Sequence, residues 1–357
     1  MLVARVMAKL EPGGAQLSAF RLTRALERHG IACRFVAGDA TPDGVRLARR
    51  HGIEVESFAG GLGLQWAPSE AFAAWLRPRL QGADLVHAHM FGGWWAAAQA
   101  VADGVPLVAS EHNAYAWPDR PHAREARDAL RRVDRFYAHG PAARAYVRAL
   151  GLPSARLATG LSPLHGFGSR PRAGLPVPRI VYTGRFAPDK GPDLLVEAIA
   201  RMHAPPPVYM MGSGALEPAL RARIAALGLH GVVRLPGWQR RPGPWIAGAS
   251  VLVVPSREEA WSQSAVLAMA LGVPVVGFAV EGLPAVLGDR RGVLVAPADV
   301  EALARAIEDV LAGRRRPDLA AGRRYAARHA PERVAPVYAA AYAELVAAAG
   351  QARAVAA

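Results

Sequence analysis

Short apolar runs alternate with longer amphipathic runs along this chain, and that rhythm constrains its fold more than any single residue does. Residues 2–8 read as extended, 15–30 as helical, 31–37 as extended, 70–79 as helical, 84–88 as extended, 92–102 as helical and 105–110 as extended. Runs of period two separated by runs of period 3.6 make βαβ units. Such units require a parallel sheet with helices on both faces, and ligands then lie at the carboxyl ends of the strands. The rhythm breaks over 160–178, a Gly/Pro-rich stretch of the kind that links domains. It resumes with extended runs at 179–183, 206–211, 232–235, 250–254, 273–277 and 292–295. Two α/β halves are therefore expected, over 1–165 and 179–330, with 166–178 as linker. No short-period repeat of the solenoid type is present.

At 357 residues, 52% hydrophobic and 20% charged, the chain is long enough to bury two cores. No apolar run reaches the roughly 20 residues needed to span a bilayer. Met1 leads into a strand without a signal-peptide pattern, so a cytoplasmic location is expected. Cys33 is the only cysteine; it excludes an intrachain disulfide or a cysteine metal cage and reads as a core residue. The net charge of +14 raises nucleic acid as a partner. The arginines are spread over every segment, however, and no stacking or groove-reading motif accompanies them, which argues against it. The densest cluster is Arg120, Arg124, Arg127, Arg131, Arg132 and Arg135, whose spacing is expected to put several on one helical face. That face is either solvated or a patch that meets an anionic acceptor or a membrane surface.

Two glycine turns sit where the rhythm passes from strand to helix. Gly184-Arg185-Phe186-Ala187-Pro188-Asp189-Lys190-Gly191 follows the strand-like run 179–183, and Pro12-Gly13-Gly14 follows the first run of the chain. Lys190 and Lys9, the only two lysines, lie in or beside them. Either turn alone would serve as a tight connection. A strand ending in such a turn also aims backbone N–H groups and the positive end of the next helix at an anion, and Arg185 and Lys190 would add full charges. This is the pattern of a diphosphate clamp.

Taken in order, these turns and a further set of motifs resemble glycosyltransferase family 4. The others are Asp84-Leu85-Val86-His87-Ala88-His89, Ser110-Glu111-His112, Gly212-Ser213-Gly214, Leu235-Pro236-Gly237-Trp238, Pro255-Ser256-Arg257-Glu258-Glu259-Ala260-Trp261 and Leu271-Gly272-Val273-Pro274-Val275-Val276. The resemblance covers nearly the whole chain. It implies an α/β protein of the GT-B fold, in which two Rossmann-like domains face each other across a cleft, with a last helix over 331–357 returning to the first domain. It also implies an enzyme that moves a sugar with retention from a nucleotide-diphosphate sugar, UDP-linked hexose or N-acetylhexosamine being the common donor, to a hydroxyl. His112, Arg185, Lys190 and Glu259 would be the catalytic residues. Gly13, Gly14, Gly184, Gly212, Gly214, Trp238, Glu258, Ala260, Trp261, Ser262 and Gln263 would hold the donor.

No cofactor is expected. Arg185 and Lys190 can offset the charge that develops on a leaving diphosphate, and no Asp-x-Asp pair of the metal-dependent transferases is present. Metal independence is expected accordingly. His87 and His89 alternate along one strand and read as packing. The acceptor stays open among a sugar, an aminocyclitol, a glycan, a small natural product and a membrane-lipid head group, with peripheral membrane contact in the last case. Its recognition would depend on the 59–68 loop, on Trp66, Trp94, Trp95 and Trp117, and on Glu11 and Glu111 as carboxylates.

The chain departs from the family pattern at Ala260-Trp261-Ser262, which replace the common Gly, Phe and Gly, at Gly282-Leu283-Pro284-Ala285, where a glutamate often follows the proline, and most consequentially at position 267. Where the family shows a second glutamate eight residues after the first, for the nucleotide ribose, this chain has Leu267. Losing a charged hydrogen bond to a diol weakens the contact by on the order of 1.5–3 kcal/mol, unless Glu258 or Ser264 substitutes. An inactive sugar- or nucleotide-binding protein of the same fold is the alternative. A dinucleotide oxidoreductase fits less well, because neither turn reads Gly-x-Gly-x-x-Gly.

Overall fold

The computed structural model describes residues 1–60, 63–113 and 122–356. The chain divides into two compact units, Met1–Pro163 with Pro331–Ala357, and Leu164–Ala330.

The first unit is built on seven strands: β1 (Leu2–Leu10), β2 (Ala32–Ala40), β3 (Val55–Ser57), β4 (Leu85–His89), β5 (Leu107–Glu111), β6 (Arg135–Ala138) and β7 (Leu157–Thr159). They lie in the order β3-β2-β1-β4-β5-β6-β7 and every pairing is parallel. β4 and β5 are buried along their whole length, as central strands of a parallel sheet covered on both faces must be. β1 pairs with β2 on one side and β4 on the other. Chain order reverses there, which makes it the topological switch point where ligands of open α/β sheets bind. The register sets Arg5 beside His87 and Met7 beside His89.

The last helix, Pro331–Ala356, belongs to this unit and packs on the helix Gly14–Glu27. Its Val334, Tyr338 and Tyr342 are buried with Val3, Leu22, Leu26, Ile31 and Leu85. The Tyr338 hydroxyl donates to the Leu161 carbonyl and accepts from the Leu161 N–H, both at 3.1 Å. Cys33 is half-buried beside this cluster.

The second unit repeats the plan with β8 (Ile180–Thr183), β9 (Val208–Met211), β10 (Val233–Arg234), β11 (Val251–Val254), β12 (Val275–Phe278) and β13 (Val293–Val295). The order is β10-β9-β8-β11-β12-β13, again all parallel, with the reversal between β8 and β11. Ile180, Val181, Leu195, Ile199, Val253 and Val276 are fully enclosed in its core. The Gly/Pro-rich 166–178 stretch is part of this unit. Within it the Arg172 N–H donates to the Pro244 carbonyl at 2.8 Å, and the Arg172 guanidinium lies over the Trp245 ring.

One expectation is corrected. The arginine cluster does not lie on one helix, because helical structure spans only Ala123–Leu130 and carries Arg124 and Arg127. Arg131 is its C-cap, Arg132 follows in the turn and Arg135 opens β6. Arg132 and Arg135 are paired with Asp103 at 3.4 Å and Glu344 at 3.6 Å. Period-3.6 spacing ran on through a turn into a strand, which no periodicity can distinguish over so short a span. Arg120 and Trp117 lie outside the described residues.

Gly191 ends the turn after β8 and sits at φ +57°, where a Cβ would overlap the Pro255 carbonyl oxygen. Gly191→Ala is expected to cost more than about 1 kcal/mol from the left-handed backbone alone. Scanning calorimetry should register this as a melting point lowered by several degrees.

Candidate active site

In the second unit the loops after β8 and β11, the two strands that flank the reversal, are tied together. The Asp189 carbonyl accepts from the N–H groups of Arg257 and Glu258, at 2.8 and 3.1 Å. Arg257 also grips Asp193 through two hydrogen bonds, of 2.9 and 2.6 Å, and that guanidinium holds the Asp193 carboxyl below its usual range. These ties fix the turn that carries Lys190. Its ammonium lies 3.1 Å from Glu259 Oε2 and donates to the Glu258 carbonyl at 3.2 Å. Ser256 donates to the same Glu259 oxygen at 3.2 Å, and the Glu259 N–H is capped by Glu281. Arg185 lies at the exposed rim, paired with Asp189 at 3.0 Å.

The glycines make the close approaches. A Cβ on Gly212 would overlap the Gly184 carbonyl oxygen, and one on Gly214, at φ +154°, would press on the Phe186 backbone. The Gly212 N–H donates to the Gly237 carbonyl, which brings the loop bearing exposed Trp238 (43% accessible) to the same strand ends. Ser262 caps the helix Gln263–Ala270 by accepting from the Ala265 N–H, so Ala260, Trp261, Ser262 and Gln263 form the approach to that helix. The Trp261 indole is turned to Tyr325, donating to its hydroxyl at 3.2 Å, and packs on His329. Glu258 is exposed. Leu267 is buried in the core on the same helix, so an apolar side chain occupies the position of the second glutamate. Ser264 is shared with Ser262 at 3.1 Å.

The first unit carries a second polar cluster. Gly13 and Gly14 form the end of the loop after β1 and the start of the helix Gly14–Glu27. His112 follows β5 and is half-buried, its ring stacked between His89 and His139 with centroids 5.3 and 3.9 Å away. His87 and His89 are buried and stacked on each other at 4.3 Å. Both also make side-chain hydrogen bonds: His87 to Tyr342 and Ser110, His89 to Arg5 and His112. Burial lowers the basicity of His87, His89 and His112 well below the usual range, assisted by the Arg5 charge and by one another. Glu111 is not an open carboxylate. It accepts from Trp94, from the His112 N–H and from both the backbone and side chain of Asn113. Glu11 is paired with Lys9 at 2.9 Å. Trp94 and Trp95 are core residues, whereas Trp66 is exposed.

Arg5 and Glu281 were not singled out from sequence, and Ser256 stood in a quoted motif without a role. Arg5 had a signal, a charge at the centre of an apolar strand run; Glu281 had none. Among the described residues no group of three or more His, Cys, Asp or Glu side chains is placed to hold a metal ion. No helix among them is long and apolar enough to cross a membrane.

Comparison with known proteins bears on this geometry. A family model described as Glycosyltransferase Family 4 matches residues 12–159, and one described as Glycosyl transferases group 1 matches 177–313. A D-inositol 3-phosphate glycosyltransferase of Geodermatophilus obscurus is 33% identical over 360 residues, covering 85% of this chain and 79% of that protein. The chain belongs to glycosyltransferase family 4. A second protein of the same name, from Streptomyces griseus, is 34% identical over 290 residues, 66% of this chain. The chain spans only 61% of the length of that Streptomyces protein. The structure of Anabaena HepE in complex with UDP-glucose superposes with a TM-score of 0.77 at 20% identity, covering 98% of this chain and all of that one. The fold of this family 4 member is therefore GT-B, with two Rossmann-like units.

Burial pushes the Glu111 carboxyl up to about 7, against the hydrogen bonds that hold it down. Between the ordinary carboxylate value and pH 7, then, the folded chain keeps a proton that the unfolded chain has lost. That contribution to stability falls as pH rises through the window, by on the order of 3 kcal/mol. Chemical denaturation of wild type and Glu111→Gln from pH 4.5 to 8 should show the difference between them growing with pH up to about 7 and level above it.

Proposed function

We propose that this chain is a retaining, metal-independent glycosyltransferase that moves a hexose or N-acetylhexosamine from a UDP-linked donor to an acceptor hydroxyl. The convergence of Arg185, Lys190 and Glu259 at the reversal of the second sheet carries this reading. A leaving diphosphate gains negative charge as the glycosidic bond breaks. Fixed cations and N–H dipoles that gain strength with that charge lower the barrier.

Lys190 is suited to this because Glu259 and the Glu258 carbonyl hold its ammonium in place while leaving it partly accessible. Arg185, half-exposed and tethered among the described residues to Asp189, can turn to the β-phosphate. With two cations available the reaction needs no metal. By resemblance to the family Glu259 would lie near the donor sugar, and Gly184, Gly212 and Gly214 let the loops pack closely against one another at the strand ends where the phosphates would bind. Attack by the acceptor on the face from which the diphosphate departs lets a phosphate oxygen take the hydroxyl proton. No paired carboxylates of the glycosidase kind are then required. The names of the relatives make D-inositol 3-phosphate the first acceptor to try, and the arginines around 124–135 suit an anion. Buried Leu267 favours a second reading, a binding protein that has lost its ribose anchor.

Calorimetric titration of UDP, GDP, ADP and dTDP with and without EDTA tests the reading. Metal-free binding of UDP is expected, and no binding of any diphosphate at millimolar concentration would leave the second reading standing. Arg185→Ala and Lys190→Ala should each reduce transfer by about a hundredfold or more with the melting point nearly unchanged. Retained activity in both would overturn the clamp. Leu267→Glu should tighten UDP binding about tenfold and lower the melting point, since it buries a carboxylate in the core.

A further inference from the structure

Arg5 is fully enclosed at the centre of β1, where a charge costs several kcal/mol to bury, and its Nε meets no partner among the described residues. One of its terminal nitrogens lies 2.9 Å from His89 Nε2. His89 Nδ1 lies 3.0 Å from His112 Nε2. Hydrogen-bond arithmetic settles every proton in this row. A guanidinium only donates, so His89 Nε2 must accept. A neutral imidazole carries one N–H, so that of His89 is on Nδ1 and donates to His112. His112 Nε2 therefore accepts, and its own proton is on Nδ1. A doubly protonated His112 would set N–H against N–H unless His89 gave up its single ring proton and became an imidazolate. The row thus excludes the imidazolium as well as the other tautomer.

We propose that Arg5 and His89 are positioning residues that fix His112 as the neutral Nδ1–H tautomer, so that it meets an oxygen of the bound sugar as a hydrogen-bond donor. That His112 meets the donor sugar is what the family resemblance implies, and it rests on the transferase function proposed above; the tautomer does not. Its neighbours fit a neutral ring. His139 stacks on it at 3.9 Å and turns its own Nδ1 to Ser162 at 3.3 Å, while Glu111 accepts the His112 backbone N–H and leaves the ring alone. The low basicity that burial gives His89 and His112 agrees with this arrangement. An apolar residue in place of Arg5 would fill the space more cheaply, but it would free His89 to flip and the row would lose its sense. A wrong tautomer at a conserved geometry is costly in catalysis, as the triads of serine proteases demonstrate.

The test is a long-range proton–nitrogen correlation spectrum of the full chain with its eleven histidines labelled with nitrogen-15, taken without donor or acceptor. His112 should show a protonated Nδ1 and a bare Nε2, against the Nε2–H form that imidazole prefers in water. Arg5→Met should shift His112 toward that preferred form. If Arg5→Met does not fold, the pair His89→Gln and His89→Leu replaces it. An amide can accept from Arg5 and donate to His112, so Gln should keep the Nδ1–H signature and Leu should lose it. A wild-type His112 protonated at Nε2, or a signature untouched by both Arg5→Met and His89→Leu, would overturn the proposal. With UDP-glucose as donor, Arg5→Met should lower kcat about ten- to hundredfold with KM within about twofold. A wild-type chain with the expected spectrum and no turnover would count against the transferase reading and not against the relay.

Discussion

Everything chemical in this protein depends on where two parallel sheets reverse their strand order. In each, the first strand of the sheet pairs on one side with the next strand in sequence and on the other with one from much later in the chain. The loops leaving those two strands diverge to opposite faces and open a crevice between them. In the second unit the crevice is kept from spreading by the Asp189 carbonyl, which two N–H groups of the opposite loop share. Lys190, Glu259 and Glu281 are then neighbours although 91 residues separate the first from the last. In the first unit the corresponding strands carry Arg5 and His89, and the adjoining β5 delivers His112.

The two polar clusters solve the burial of charge differently. Lys190 is partly open to solvent while Glu259 is buried against it, so the two neutralise each other and the ammonium is available to a charged ligand. Arg5 has no such release. It is sealed from solvent among neutral polar groups, with hydrogen bonds to Tyr342 and His89. The first arrangement suits a group that must trade partners when a diphosphate arrives. The second suits one that must never move.

Much of this was legible in the sequence. Apolar runs of two periods placed the long strands to within two or three residues, and the glycine turns marked both reversal points, because tight strand-to-helix passages admit few residue types. The ordered motifs then carried the family. β3 and β7, three residues each, and the four-residue β6 were not read as strands, although the equally short β10 and β13 were; the run of arginines after 120 looked helical across the turn that leads into β6. Glu281 caps the Glu259 N–H from a position 22 residues on, a contact that only the folded β12 loop creates. His87 and His89 read as packing residues. Their stacking and burial agree with that, but the tautomer row through His89 follows from pairing with Arg5 across the sheet, which strand register sets and sequence does not display.

The final helix has a consequence for the order in which the molecule is made. Tyr338 and Tyr342 complete the core under β1 and β4, yet they are synthesised after every residue of the second unit. A nascent chain emerging from a ribosome can therefore close its second unit, whose residues are contiguous, before its first. Until the helix Pro331–Ala356 has emerged, the face of the first unit that receives it stays uncovered, with Val3, Leu22, Leu26 and Leu85 open to chaperones or to other chains.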